Sequence, residues 1–517
     1  FTDGPGTGNT AATQFTWTYD GTSPTMTITS STVSTGATTN NGTIALTFTS
    51  SEATANFVEA DVTVTNGGLS SFSGSGTTYN ATFTPNADGA STIDVAVNKF
   101  TDAVGNNNTA ATQFTWTYDG TPATISSTTL AGDNSTITVT MSEAVYKTNG
   151  GSGSLEASDF ALSVTNHESG YGNVSSSTPT SISISGNQYT LGIGISGTMT
   201  GSEILQVVPV DNGIYDAYGN ESAASQSNNT VTMNDQLSPS IAVTATAGGS
   251  AVSSGSTTND QTLSLTFTSS EATTNLISSD ITVVGGAISS FSATSSTVYT
   301  ATFTPAADGL TSINVAAGVF TDASGNSNTA ATQYTWTFNG TPAVISSVSL
   351  ASDNSTIAVT MDEPIFSTGG GSGAMESTDF SFSVSGGSAT LSSATPSSIS
   401  ASGNVYTLGI GIAGTPNGSE VITVNPVANS IYDAYGNVST NSQSNNTATL
   451  NDKLSPTIAI TAVSSGGDAV ASGSTTNDAS IILTLTASET TTNLASADLS
   501  VSGGSLSSFS GSGTTYN

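Results

Sequence analysis

Residues 100–122 read "FTDAVGNNNTAATQFTWTYDGTP". The second half of this stretch decides the fold. In "TQFTWTYD" the aromatics Phe114, Trp116 and Tyr118 alternate with Thr. That period of two puts three rings on one face and hydroxyls on the other, the pattern of a half-buried strand. Ahead of it, "TDAVGN" is made of turn formers; behind it, "DGTP" ends in a proline that resists continuing a strand ladder. Near-copies stand at 320–342 ("FTDASGNSNTAATQYTWTFNGTP") and at 1–24 ("FTDGPGTGNTAATQFTWTYDGTSP"). The copies end in Asp119, Asn339 and Asp20 respectively.

Working outward, the whole chain repeats. Trp116 returns as Trp336, a spacing of about 220 residues. "SSEAT" at Glu52 returns at Glu271, and a related "SET" at Glu489. A second module type interleaves, since "DNSTITVTMSEAVY" around Glu143 matches "DNSTIAVTMDEPIF" around Glu363. Pro24, Pro122, Pro239, Pro342 and Pro456 mark the seams, where a fixed φ makes a short, stiff joint. The expected layout is the last strand of a preceding module (1–20), type A (21–119), type B (120–235), A (236–339), B (340–452) and a truncated A (453–517). Both ends fall inside modules, so the chain reads as an internal slice of something longer.

Other segments alternate as "TQFTWTYD" does. "TIALTFT" places Ile44, Leu46 and Phe48 on one face, "ADVTVT" Val62 and Val64, "YNATFTP" Tyr79, Ala81 and Phe83, and "STIDVAV" Ile93, Val95 and Val97. No helical period of convincing length occurs. About seven short strands in ~100 residues predict an all-β chain, an elongated tandem array of Ig-like β-sandwiches of two alternating types. The order strand, "SE", strand, "FTDxxGN", strand, "DGTxP" resembles the bacterial Ig-like domains found in tandem in giant surface adhesins and extracellular appendage proteins. The B modules, with "MSEAV" and "YDAYGN", resemble a sister Ig-like family of the same proteins.

Composition removes several functions. The chain has 36 acidic residues against three Lys and no Arg, a net charge of −33. Nucleic acid and anionic membrane surfaces need the cations it lacks. No apolar run approaches the ~18 residues of a membrane-spanning helix. Cysteine is absent, so an exported protein of this composition relies on packing, hydrogen bonds and metal rather than disulfides. Lys99, Lys147 and Lys453 are too few for Lys–Asn cross-links in every module.

Placed on a sandwich, the repeated acids gather at one pole. Glu52 follows the second strand, Asp61 opens the third, Asp102 and Asn106 sit between the last two, and the entering linker brings Asp20. The first B module offers Asp119, Glu143, Asp159, Asp216 and Asn220. The second A offers Asp235, Glu271, Asp280, Asp322 and Asn326. The second B offers Asn339, Glu363, Asp379, Asp433 and Asn437, with Asp362 beside Glu363. The truncated A retains Asp452, Glu489 and Asp498. Clustered carboxylates repel unless neutralised, and three lysines cannot do it. Ca²⁺, with its preference for many oxygen ligands, suits the inventory better than Mg²⁺. "DAxGN" is also a good turn in its own right, but no turn requires Glu52 and its counterparts.

Two patterns mislead. "GIGISG" (192–197) and "GIGIAG" (409–414) match a nucleotide-binding spacing, yet no helix pattern follows, and a Gly-rich strand with Ile193 and Ile195 inward explains them. His167, the single histidine, and Tyr171 lie in a loop with no counterpart in the second B module. Glu59 reads as solvated. No catalytic set emerges, and the chain is expected not to be an enzyme. The expectation is an extracellular, calcium-rigidified stalk on a bacterial cell surface that projects a distal binding element. Its partners are neighbouring modules and identical chains in a bundle. The alternatives are a self-assembling filament or surface-layer subunit, and glycan or cell binding through B-module loops such as "TNHESGYGNVSSSTPT".

Overall fold

The computed structural model describes residues 1–54, 56–166 and 170–517. His167 therefore lies outside the described residues. In the first A module the alternating segments become strands. Strands β1 (Met26–Ser30), β3 (Ile44–Thr54) and β5 (Gly67–Pro85) form one antiparallel sheet. Strands β2 (Thr38–Thr39), β7 (Phe114–Tyr118), β6 (Gly89–Val95) and β4 (Val62–Thr65) form the other in that order, with β2 parallel to β7. Register follows the apolar faces: Phe48 sits opposite Ile28 and Tyr79, and Phe114 opposite Ile93. Ile44, Phe48, Phe83, Ile93 and Val95 are fully buried between the sheets. The Trp116 ring meets Phe83 edge-on at a centroid distance of 4.8 Å, and each such side chain contributes about 2–3 kcal/mol of burial. Val97 is the exception in its run: β6 ends at Val95, and Val97 is exposed.

The first B module departs from the seven-strand expectation. Among the described residues it has nine strands. Strands β8 (Ile125–Leu130), β9 (Thr136–Met141), β13 (Gln188–Gly192) and β12 (Ile182–Ser185) make one sheet. Strands β10 (Phe160–Thr165), β15 (Ile204–Pro209) and β16 (Thr230–Thr232) make the second, and β11 (Asn173–Val174) pairs with β14 (Ile195–Ser196). The extra pair grows from the insertion that distinguishes B from A. The Gly-rich run is strand, as read: Gly192 ends β13, and a Cβ there would come within 2.4 Å of Thr180 Oγ1. Ile193 is buried and Ile195 packs against the same core.

Among the described residues four apolar cores result, centred on Phe48 and Trp116, on Ile137 and Leu205, on Phe267 and Trp336, and on Ile357 and Ile422. The last 65 residues supply one four-stranded sheet, whose Ile460 and Ile482 are exposed. Residues 13–20 repeat "TQFTWTYD" letter for letter but form no strand, and Phe15, Trp17 and Tyr19 are exposed. The chain divides into two compact units. One is Phe1–Pro239 with Thr321–Ser327; the other is Ser240–Phe320 with Asn328–Asn517.

Candidate metal centre

The loop between β6 and β7 is built around Asp102, which is 3% exposed. Its Oδ1 accepts the backbone N–H groups of Val104 (3.0 Å), Gly105 (2.7 Å) and Asn106 (2.9 Å). This tight wrap needs a residue at positive φ, and Gly105 supplies it at +103°. Asp102 Oδ2 accepts from Asn106 Nδ2 at 2.8 Å, and the same amide donates to the main-chain oxygen of Asp20 at 3.1 Å. Asn106 thus fastens the incoming linker to the loop. Burial pushes the Asp102 pKa up, but the hydrogen bonds from Asn106, Gly105 and Val104 outweigh it and hold the carboxyl below its usual range.

The first B module repeats this. Asp216, fully buried, accepts from the N–H groups of Tyr218 (2.8 Å) and Asn220 (2.9 Å), and from Asn220 Nδ2 (2.7 Å). Asn220 Nδ2 in turn donates to the Asp119 carbonyl at 2.9 Å.

In each of these two modules carboxylates converge. Asp20, Glu52 and Asp102 place oxygens within 4.8 Å of one another, and so do Asp119, Glu143 and Asp216. Each trio combines a linker acid with two acids of the module that follows. Burial raises the Glu52 pKa, and Asp20 and Asp102 raise it further. Glu143 is raised by burial, then by Asp216 and Asp119. Lys147 lies elsewhere, paired with Glu156 and 3.9 Å from Asp159.

The other modules carry the same parts. Asp322 accepts from Ser324 N–H (2.8 Å) and from Asn326 Nδ2 (2.9 Å), which also donates to the Asp235 carbonyl (3.3 Å). Glu271 follows the Leu263–Ser269 strand. In the second B module Asp433 is fully buried and holds the Tyr435 and Asn437 N–H groups, each at 2.8 Å. Burial and then Asp433, Asp362 and Asp308 raise the Glu363 pKa. Asp362 itself caps Val344 N–H at 2.8 Å. In the last module the neighbouring Asp452 carboxyl, and then burial, raise the Glu489 pKa.

The structure uses five of the expected acids differently. Asp61, Asp159, Asp280, Asp379 and Asp498 each end a one-turn 3-10 helix. Each accepts, through Oδ2, the N–H three residues back, at 2.7 to 2.9 Å. Neither Asp61 nor Asp159 belongs to its module's trio. Capping turns the Oδ2 of each to the backbone. Glu52 lies within β3 rather than beyond it. Tyr171 is an exposed loop residue.

Other residues went unnoticed in the sequence. Asp88 accepts Gly120 N–H at 2.7 Å and the Thr121 hydroxyl, and Asp308 accepts the N–H groups of Gly340 (2.7 Å) and Thr341 (3.1 Å). Both clamp the linker from A to B; the repeated "ADG" before β6 was their signal. Asn108, 1% exposed, staples its loop by accepting from Phe100 N–H and donating to the Ala96 carbonyl.

Glu420 is fully buried and accepts the N–H groups of Ala389 (3.0 Å), Ser388 (2.9 Å) and Asn417 (3.0 Å). Those bonds lower its pKa from 4.5 to about 2. Glu420→Ala strands three backbone donors, that of Ala389 fully buried, and melting should fall by roughly 10 °C. Because the folded pKa is depressed, the stability Glu420 contributes is present above its ordinary pKa of 4.5 and is lost as pH falls towards about 2. Thermal melts of the variant and the parent should therefore converge over that range.

A model of the bacterial Ig-like domain matches residues 20–118 and 235–338. No curated protein sequence matches the chain. Similar solved structures include invasin, a bacterial integrin-binding protein, at 16% identity over 77% of this chain and 76% of that one, with a TM-score of 0.28. InvD of Yersinia pseudotuberculosis is 15% identical over 84% of this chain and 98% of that one, with a TM-score of 0.21. The S-layer protein rSbsC is 15% identical over 90% of this chain and 64% of that one, with a TM-score of 0.19. The family match falls on the two complete A modules, and these two segments, with their paired sheets and buried tryptophans, are similar to bacterial Ig-like domains.

Proposed function

We propose that this chain is a stalk segment of a large bacterial surface adhesin or extracellular appendage, stiffened by calcium at its module joints and holding a distal binding element away from the cell. One observation carries the calcium part: a linker acid, Asp119, meets Glu143 and Asp216 of the next module within 4.8 Å. The donor set is all oxygen, which suits a hard divalent ion that takes roughly six to eight such ligands. Bound there, calcium would supply the positive charge that three converging carboxylates need. Asp119, Glu143 and Asp216 would hold it, while Asn220 and the backbone amides fix their orientation. The linker and the module would then share one coordination shell. Bacterial Ig-like domains and the scarcity of positive charge support an extracellular, structural role rather than a catalytic one.

Calorimetric titration of the chain with calcium tests this. Sites with three carboxylates should bind more tightly than the second B module, where Asn339 stands in the place of Asp119. Asn339→Asp should tighten that site by roughly tenfold, since it adds one ligand charge. Equal affinity with and without the substitution would remove the linker residue from the ligand set.

A further inference from the structure

Asn339 is followed by Gly340, and the pair sits in a setting that promotes a reaction. Gly340 N–H donates to Asp308 Oδ1 at 2.7 Å. Asn339 Oδ1 accepts from Asn437 Nδ2 at 3.1 Å. A carboxylate thus faces the nitrogen, and an amide N–H that also reaches the Asn339 carbonyl faces the amide oxygen on which negative charge would develop. We propose that Asn339 is a self-deamidation site, with Asp308 as general base and Asn437 stabilising the oxyanion.

The step balances without an oxidant or reductant. Asp308 takes the Gly340 amide proton, and the freed nitrogen attacks Asn339 Cγ. The Cγ–Nδ2 bond breaks, and ammonia leaves with the proton returned by Asp308. The five-membered succinimide then adds water across a C–N bond and opens to aspartate or its isoaspartyl isomer. Glycine suits this nitrogen because no side chain obstructs it; a Cβ at Gly340 would come within 2.5 Å of the Phe338 ring. Five other Asn-Gly pairs occur, at Asn41, Asn66, Asn149, Asn212 and Asn417. Among the described residues, the glycine of none of these donates its N–H to a carboxylate. At Gly213, for instance, the acceptor is the Val210 carbonyl.

The product would place an acid where the other linkers have Asp20 and Asp119. Asn437 Nδ2 already bridges the Asn339 carbonyl (3.0 Å) and Asp433 Oδ2 (2.7 Å). The reaction itself is independent of the calcium reading; only its consequence, a stronger ion site in the second B module, rests on it.

The full chain is aged in mildly alkaline, calcium-free buffer, and the mass gain of amide-to-acid conversion is followed by peptide mapping. The folded chain should convert Asn339 at least about tenfold faster than the same chain in urea, because positioning and base assistance exist only in the fold. Asn149, exposed and without such partners, should show no gain on folding. Asp308→Asn keeps an acceptor for Gly340 N–H but cannot take its proton, and should slow the folded reaction by roughly tenfold or more while leaving Asn149 unchanged. An Asn339 rate no faster in the fold than in urea overturns the proposal without needing any variant, and so does an Asp308→Asn rate equal to the parent's. Calcium titration of the aged chain is a separate reading: conversion without tighter binding leaves the reaction standing and counts against the linker acid as a ligand.

Discussion

In roughly 1–5 mM calcium the protein should melt about 10 °C higher than in chelator. Extracellular calcium modules fill in this concentration range. An ion that binds only the folded, docked state then adds about 2 kcal/mol per site, and for a module of ~100 residues that is a shift of this size. The cause lies in Asp119, Glu143 and Asp216, whose oxygens converge within 4.8 Å. Without the ion their charges push the linker away from the pole it should dock on. With it, the first A and B modules move together. Differential scanning calorimetry with calcium, magnesium and chelator reads the effect directly. Identical melting in all three would leave the Asp–Gly–Asn loops as turns and nothing more.

Glu143→Gln should change sign with conditions. In chelator it removes one of three mutually repelling charges, and stability should rise by about 0.5–1 kcal/mol after allowance for solvent screening. In calcium it removes a ligand, and the gain from that site should vanish. pH separates the same two states. The folded pKa values of Glu52 and Glu143 are raised, so each glutamate opposes folding when ionised. Stability should therefore increase as pH falls from neutrality through the raised pKa towards the ordinary value of 4.5 in calcium-free protein. In calcium, protons compete with the ion and the trend should reverse. A variant that is less stable in chelator would show that Glu143 has a packing role instead. A pH trend of one sign in both buffers would disconnect these glutamates from the ion.

Much of this was legible in the residues alone. Period-two alternation named the strands and their buried faces: Ile44, Leu46, Phe48, Tyr79 and Phe83 are all core. The two interleaved module types, the all-β class and the gathering of Glu52 with Asp102, or Glu143 with Asp216, also followed from spacing. Such features are local or repeat at fixed intervals, so letters suffice to carry them. What depends on a partner far along the chain was not legible. Asp88 reaches Gly120, Glu420 reaches Ala389, and no short-range pattern announces either contact. Asp61 and Asp159 share the pole with the ligand candidates, and only their hydrogen bonds reveal them as caps.

The clearest case is "TQFTWTYD", present at 13–20 and at 112–119. The second copy holds β7, pairs with β6 and buries Trp116 to 2% exposure; the first makes no strand, and Trp17 is 72% exposed. The sequence by itself determined which residues would share a face and where the acids would recur. Only the tertiary structure decided whether a strand formed and which carboxylates met. A strand's hydrogen bonds and its apolar face are both satisfied by other segments, and eight residues alone cannot supply them.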